Sequence, residues 1–273
     1  MDDVTDSRPS TLSQAALAAS LGTPRAPVLV DVRRRPAFDE ADAMIVGALR
    51  RDPQTLADWA GDLPAGRPVV LYCVHGHEVS RTAAEELRAR GHAARFLAGG
   101  ITAWQAAGLP TRRKRANGPR WVTRERPKID RIACPWLIRR FIDPEAVFDY
   151  VPAPTVMAVA EATGATPYDV PGVAFTHGGP AGERCSFDAF LDLFDIHDAG
   201  LDRLAAIVRG ADTDRFDLAP QSAGLFAVSL GLSALIEDDA AMLEQGMVVY
   251  DALYAWCRSR QDERHAWPPT MAA

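Results

Sequence analysis

The chain has 273 residues, of which 48% are hydrophobic and 24% are charged, and its net charge is −6. These proportions are those of an ordinary globular protein, so they argue against disorder, collagen-like repeats and coiled coil. Because 273 residues exceed the roughly 100–200 residues of a typical domain, two domains are predicted.

The start of the chain and its cysteines predict a reduced, cytoplasmic protein. Acidic residues precede the first basic residue, Arg8, and no apolar run of signal-peptide length follows it. No apolar stretch approaches the ~20 residues that a membrane span needs, so no membrane association is expected. The four cysteines form no C-x-x-C pair, which argues against a disulfide framework and a zinc ribbon. They are Cys73, Cys134, Cys185 and Cys257.

The first part of the chain alternates between short apolar runs and helical patterns. Continuous apolar runs at 26–32, 68–73 and 94–98 are typical of strands buried on both faces of a parallel sheet. An α/β domain with a parallel sheet is therefore predicted over residues 10–110. Its expected helices lie at 12–21, 55–59, 81–90 and 101–107.

The second part has a different pattern. Residues 111–119 are polar and basic and end in Gly118-Pro119, which predicts a linker. A mostly helical α+β domain is predicted over 120–260, with 221–236 and 240–257 as a central pair of helices because both are apolar around most of their circumference. Its other expected elements are strands at 121–123, 147–151 and 173–176, and helices at 132–142 and from 186 onward.

The segment from Cys73 to Arg81 is the strongest candidate for a reactive centre. It follows a predicted buried strand and precedes a predicted helix, so its backbone N–H groups converge on one point. Such donors stabilise a thiolate and an oxyanion, which makes Cys73 a candidate nucleophile. The candidate substrate-binding residues are Val74, His75, Gly76, His77, Glu78, Val79 and Arg81.

Residues 10–110 resemble the rhodanese family. The resemblance is carried by the order of four motifs: LVDVR at 29–33, IVGA at 45–48, the Cys73 loop, and LAGGITAWQAAGLP at 97–110. It implies a sulfurtransferase in which Cys73 takes sulfur from a small-molecule donor and passes it to a thiol or another thiophilic acceptor. No organic cofactor and no metal are expected.

The cysteine loop departs from the rhodanese pattern in one respect. Rhodaneses commonly place Arg or a small hydroxyl residue five or six positions after the cysteine, where this chain has Glu78 and Val79. A carboxylate at the mouth disfavours a dianionic donor such as thiosulfate. The loop length also leaves open a phosphatase-like or arsenate-reductase-like cysteine enzyme.

Residues 119–258 resemble the C-terminal domain of the bacterial chromate-resistance proteins. The motifs that carry this resemblance are RWVTR at 120–124, KIDRIACPWLIRRFIDP at 128–144, FTH at 175–177, CSF at 185–187, IVRGADTD at 207–214 and GMVVYDALYAWC at 246–257. The resemblance implies a role in chromate resistance. A non-enzymatic, chromate-responsive sensor or regulator is therefore an alternative to the enzyme.

A concentration of positive charge predicts an oxyanion site in this second half. Eleven basic residues and only two acidic ones, Glu125 and Asp130, lie between Arg112 and Arg140. Guanidinium groups suit tetrahedral anions such as chromate or sulfate. Nucleic acid is not expected, because the remainder of the chain is acidic. The candidate residues are Arg120, Arg124, Arg131, Arg139 and Arg140 for the anion, with Cys134, Cys185 and His177 as possible reductants or ligands.

Overall fold

The computed structural model describes residues 10–114, 118–179 and 183–263. Its first half is built on a parallel sheet of five strands, and a separate antiparallel pair lies beside it. The strands of the sheet are β1 (Thr11–Leu12), β2 (Val28–Asp31), β4 (Ala48–Arg50), β5 (Val69–Tyr72) and β6 (Ala94–Leu97), and the pair is β3 (Ala43–Ile45) with β7 (Thr111–Arg113).

The sheet has the order β1-β6-β5-β2-β4, which places β5 at its centre. Every residue of β2 and β5 is buried, as their continuous apolar sequences predict. Helices connect the parallel strands, so the α/β prediction for this half is confirmed. These helices are α1 (Gln14–Ser20), α2 (Arg35–Glu40), α3 (Leu56–Trp59), α4 (Glu78–Ala89) and α5 (Gly100–Ala106).

The second half combines a small parallel sheet with a group of helices, in agreement with the predicted α+β domain. The sheet has the order β10-β8-β9, and its strands are β8 (Arg120–Arg124), β9 (Val147–Val151) and β10 (Thr166–Pro167). The helices are α6 (Asp130–Leu137), which continues as a π-helical turn over Ile138–Ile142, α7 (Val156–Thr163), α8 (Ser186–Phe194), α9 (Ala199–Asp212), α10 (Ser222–Leu235) and α11 (Asp239–Ser259).

The two halves share one apolar core. A single cluster of buried side chains includes Leu17, Leu29 and Trp104 of the first half together with Trp136 and Phe141 of the second. The helices of the second half thus complete the burial of one face of the first sheet. Among the described residues, no helix is long and apolar enough to cross a membrane.

Three predictions about elements are wrong. The linker does not begin at 111, because residues 111–113 form β7 and pair with β3. Residues 173–176 are not a strand, since only an isolated bridge joins Phe175 to Tyr168.

Helix α10 is the third correction, because it is not a central helix. Its buried positions include Ser222, Ser229 and Ser233, whereas Leu235 is 82% exposed. A helix that is apolar all round has no polar stripe from which its outward face can be predicted.

Candidate functional site

Cys73 lies at the carboxyl end of β5, where the central strand of the sheet ends. Its side chain is only 6% exposed. The loop 74–77 follows, and α4 begins at Glu78. The end of a central parallel strand is a position at which loops of α/β proteins commonly form binding sites.

The start of α5 folds the loop after Cys73 back onto itself. The carbonyls of Cys73 and Val74 accept hydrogen bonds from the backbone N–H groups of Ile101 and Thr102, each at 3.0 Å. Gly76 has a φ of +66°, and a Cβ at this position would lie 2.4 Å from the carbonyl oxygen of Leu97. The loop therefore requires glycine at this position.

This geometry gives the Cys73 thiol the electrostatics of a nucleophile. The Cys73 Sγ lies 3.2 Å from the Oγ of Ser80, on the first turn of α4. Burial by itself would raise the pKa of the Cys73 thiol, but hydrogen bonds from the Ser80 hydroxyl and from the backbone N–H groups of Ser80, His77 and Gly76 outweigh it. The pKa of Cys73 is consequently lower than its ordinary value.

A pocket of about 230 Å³ opens onto Cys73. It contains five of the predicted substrate-binding residues, and it adds residues from the segment after β2 that were not predicted. The other two predicted residues, Gly76 and Arg81, do not line the pocket. Arg81 is exposed, and the role of Gly76 is to allow the backbone conformation of the loop. The lining residues are Arg33, Arg34, Ala37, Cys73, Val74, His75, His77, Glu78 and Val79.

A buried ion pair supports the wall of this pocket. The Arg33 Nε donates to both carboxylate oxygens of Asp31, at 3.0 and 2.9 Å, and the Tyr72 hydroxyl donates to Asp31 Oδ2 at 2.9 Å. Asp31 and Arg33 are both almost fully buried. Since Asp31 ends β2 and Tyr72 ends β5, the pair ties together the two strands that frame the cysteine loop.

The arginines of the second half do not form the predicted oxyanion site. Each has an acidic partner: Arg120 pairs with Asp149, Arg124 and Arg131 with Asp169, Arg139 with Glu244, and Arg140 with Asp251. The five guanidinium groups are spread over four carboxylates rather than gathered around one space. Each guanidinium group is therefore engaged with a carboxylate of the fold rather than aimed at a shared anion site.

The two cysteines proposed as reductants are poorly suited to that role. Cys134 and Cys185 are fully buried. Burial, followed by the nearby carboxylate of Asp130, raises the pKa of both thiols well above the ordinary value. Both groups are neutral thiols at neutral pH, and thiols react far more slowly than thiolates.

His177 lies among carboxylates that are distant in the sequence. Its Nε2 is 3.0 Å from an oxygen of Asp212, 3.5 Å from one of Asp169 and 3.7 Å from one of Asp130. Hydrogen bonds to Asp169 and Asp212 raise the pKa of His177 to about 10. The pKa of Asp130 is raised well above its usual range, first by burial and then by the charges of Asp212 and Asp169.

Sequence reasoning missed several residues that the structure brings to these two places. Ser80 lay just before the predicted helix at 81–90, whereas in the structure it lies on the first turn of α4 beside the Cys73 Sγ. Arg33 was part of a quoted motif but was not assigned to the pocket. Asp130 and Asp212 were part of quoted motifs but were not assigned to a site, and Asp169 gave no local signal.

Comparisons with known proteins agree with this division of the chain. The family model for the rhodanese-like domain matches residues 13–107, and the model described as "ChrB, C-terminal domain" matches residues 121–257. Protein ChrB of Cupriavidus metallidurans is 36% identical over 138 residues, which are 50% of this chain and 40% of that protein. The matched region thus spans less than half the length of this relative.

Solved structures similar to the first half have also been found. A protein from Lactobacillus plantarum is 27% identical and covers 37% of this chain and 86% of its own, with a TM-score of 0.35. A rhodanese-like domain protein from Staphylococcus aureus is 24% identical and covers 34% of this chain and 89% of its own, with a TM-score of 0.31.

The fold and the cysteine loop of the first half define a rhodanese-like domain, and a helix-rich domain follows it. The second domain accounts for half of the chain. The chain therefore belongs to the family that carries the ChrB C-terminal domain.

Proposed function

We propose that this chain is a cytoplasmic sulfurtransferase of the rhodanese type, in which Cys73 carries the transferred sulfur as a persulfide. The observation that carries this proposal is the position of the Cys73 Sγ, held by Ser80 and by the N–H groups of its loop with a lowered pKa. A thiolate that is stable near neutral pH is the nucleophile this chemistry needs.

The reaction consists of two displacements at sulfur. The Cys73 thiolate attacks the outer sulfur of a sulfane donor, a new S–S bond forms, and the donor's own bond to that sulfur breaks as its remainder leaves with the electron pair. A thiolate acceptor then attacks the outer sulfur of the persulfide. This second step transfers the sulfur and regenerates the Cys73 thiolate.

The pocket offers a dianionic donor no excess of positive charge. Glu78 and Arg34 line it with opposite charges, whereas Arg33 is engaged by Asp31. We therefore expect a singly charged organic persulfide to react better than dianionic thiosulfate. A phosphatase-like reaction is less well supported, since Arg81 lies outside the pocket and Val79 occupies the sixth position after the cysteine.

The proposal links this chemistry to chromate resistance through the second domain. Its relationship to ChrB is the support for this part of the proposal. The internal pairing of Arg120, Arg139 and Arg140 argues against a chromate site built from these side chains. In this proposal the second domain does not act through a redox thiol, because Cys134 and Cys185 are buried as neutral thiols.

Intact-mass spectrometry of the full chain tests the proposal. After incubation with an organic persulfide, and in parallel with thiosulfate, the protein should gain the mass of one sulfur atom, and cyanide should remove it as thiocyanate. Cys73→Ser should gain nothing, and Cys257→Ser serves as the matched control that gains sulfur normally. No gain with either donor would refute sulfur transfer and favour a sensor without enzymatic activity.

A further inference from the structure

Two helices and one connecting segment of the second half bring three carboxylates to one imidazole. Asp130 is the first residue of α6, Asp169 follows β10, and Asp212 is the last residue of α9. His177 lies in the segment between β10 and α8. One ligand atom each from Asp130, Asp169 and His177 lie within 4.8 Å of one another.

The spacing of these atoms suits a coordinated cation. Ligand atoms held about 2.0–2.2 Å from a metal are about 2.8–3.1 Å apart at octahedral angles and about 3.3–3.6 Å apart at tetrahedral angles. The His177 Nε2 lies 3.0, 3.5 and 3.7 Å from oxygens of Asp212, Asp169 and Asp130. The first two distances fall within these ranges, and the third is slightly longer.

Asp130 provides a second and independent indication of a ligand. Its side chain is 1% exposed, and its Oδ2 accepts a hydrogen bond from the backbone N–H of Ser186. Its Oδ1 is buried without a hydrogen-bond partner among the described residues. A carboxylate oxygen left unpaired in the interior is costly, and a bound cation is one of the partners that offset the cost.

We propose that Asp130, Asp169, Asp212 and His177 bind one divalent first-row transition-metal ion. This site is separate from Cys73 and does not depend on sulfur transfer. It would tie α6, α9 and the segment that carries His177 to one another.

The donor set indicates which ions are suitable. Three carboxylates and one imidazole suit Mn²⁺, Fe²⁺ or Zn²⁺, whereas sites for Ca²⁺ and Mg²⁺ are formed by oxygen atoms alone. The group of ligand atoms that lie within 4.8 Å of one another contains no cysteine sulfur among the described residues, so it does not favour a soft metal ion. We therefore choose Mn²⁺ as the probe, because it discriminates against cysteine ligands elsewhere in the chain.

Neighbouring side chains hold the proposed ligands in place. The Ser186 hydroxyl donates to Asp169 Oδ1 at 2.7 Å, and an Arg124 nitrogen donates to Asp169 Oδ2 at 3.0 Å. Hydrogen bonds of this kind, made to a ligand by side chains that do not touch the metal, orient the ligand and tune its charge. The side chain of His177 is 38% exposed, so the ion has a route to the site from solvent.

The test is a titration of the full chain with Mn²⁺, followed by electron paramagnetic resonance, after removal of metals with EDTA. We expect about one tightly held Mn²⁺ per chain, competition by Zn²⁺, and a higher Tm with Mn²⁺ than without it. His177→Gln and Asp212→Asn should each weaken binding at least tenfold, since losing even an outer partner of a ligand costs about 10–100-fold.

Matched controls distinguish this site from general binding to acidic surface. His197→Gln removes an exposed histidine that also pairs with an aspartate, and Asp217→Asn removes an exposed carboxylate close to Asp212 in the sequence. Both should bind Mn²⁺ as the parent chain does. If Asp212→Asn fails to fold, the partly exposed His177 still provides the decisive variant.

The competing account is that a protonated His177 is itself the counter-ion of the three carboxylates. In that case Mn²⁺ would not bind stoichiometrically and would leave the Tm unchanged. That result would overturn the proposal, as would Mn²⁺ binding that His177→Gln and Asp212→Asn leave intact.

Discussion

The two halves of the molecule each bury an aspartate near a cysteine, but the surroundings of the two pairs differ. In the first half, Asp31 accepts hydrogen bonds from Arg33 and Tyr72, and Cys73 receives donors from its loop. In the second half, Asp130 keeps an oxygen without a partner among the described residues, and burial beside it raises the pKa of Cys134.

This difference shows that burial alone does not determine whether a cysteine is reactive. Cys73 and Cys134 are both buried side chains. Burial opposes the thiolate at both positions. Hydrogen bonds from Ser80 and from backbone N–H groups outweigh it at Cys73, whereas at Cys134 burial is the largest cause of the raised pKa and nearby carboxylates add to it. The hydrogen-bond donors are therefore what distinguishes Cys73.

The largest expected effect on stability comes from breaking the buried ion pair between Asp31 and Arg33. Asp31→Asn leaves Arg33 as an uncompensated buried charge, so we expect the free energy of unfolding to fall by about 3–5 kcal/mol in urea denaturation. Arg35→Gln is the control, because Arg35 and Asp39 form an exposed i,i+4 pair. That variant should lose no more than about 0.5 kcal/mol. Equal losses would show that the buried pair has no special role.

The next effect concerns the backbone of the cysteine loop. Gly76→Ala places a Cβ against the Leu97 carbonyl, so the loop cannot keep its conformation. Persulfide formation should therefore be lost, and the free energy of unfolding should fall by about 1–3 kcal/mol. Gly91→Ala is matched in backbone strain, since its φ is +89° but no atom lies within 4 Å of the added Cβ. A Gly76→Ala protein that accepts sulfur normally would contradict the proposed loop geometry.

A smaller effect isolates the hydrogen bond to the thiolate. Ser80→Ala removes the side-chain donor to Cys73, which raises the pKa of that thiol toward its ordinary value. We expect the rate of alkylation of Cys73 by iodoacetamide at pH 7 to fall about three- to tenfold. Thr82→Ala, an exposed change on the same helix, should leave the rate unchanged.

The smallest expected effect is a gain in stability, and it concerns Asp130 in the second half. The pKa of Asp130 is higher in the folded chain than in the unfolded chain. The wild-type protein therefore loses stability as the pH rises from the pKa of this carboxyl group in the unfolded chain toward its pKa in the folded chain. Asp130→Asn removes this loss, so the metal-free variant should be more stable at neutral pH by between zero and about 1 kcal/mol. A loss as large as that of Asp31→Asn would show that Asp130 is compensated after all.

The sequence was sufficient for features that depend on neighbouring residues. The parallel strands and the Cys73 loop follow from short contiguous patterns, because a buried strand, a loop with glycine and a helix occupy one segment. Ser80 lies one position beyond the place where rhodaneses commonly have a hydroxyl residue, and its hydroxyl contacts the Cys73 thiol. This shift does not change the identity of the nucleophile.

Features that depend on distant pairing were not predictable from local patterns. The basic window suggested an anion pocket because the acidic partners of its arginines are separated from them in the chain, as Arg140 is from Asp251 by 111 positions. The cluster around His177 escaped notice for the same reason. Asp130 and Asp212 belong to different helices and meet only in the folded chain.

The most direct test of the account is the pH dependence of alkylation at each cysteine in the folded chain, read by peptide mass spectrometry. Because the pKa of Cys73 is lowered, its alkylation should reach half its maximal rate at a lower pH than in the unfolded chain. Cys134, Cys185 and Cys257 should stay unmodified until the protein unfolds, since burial raises their pKa values. A Cys73 midpoint at or above that of the unfolded chain would contradict the account.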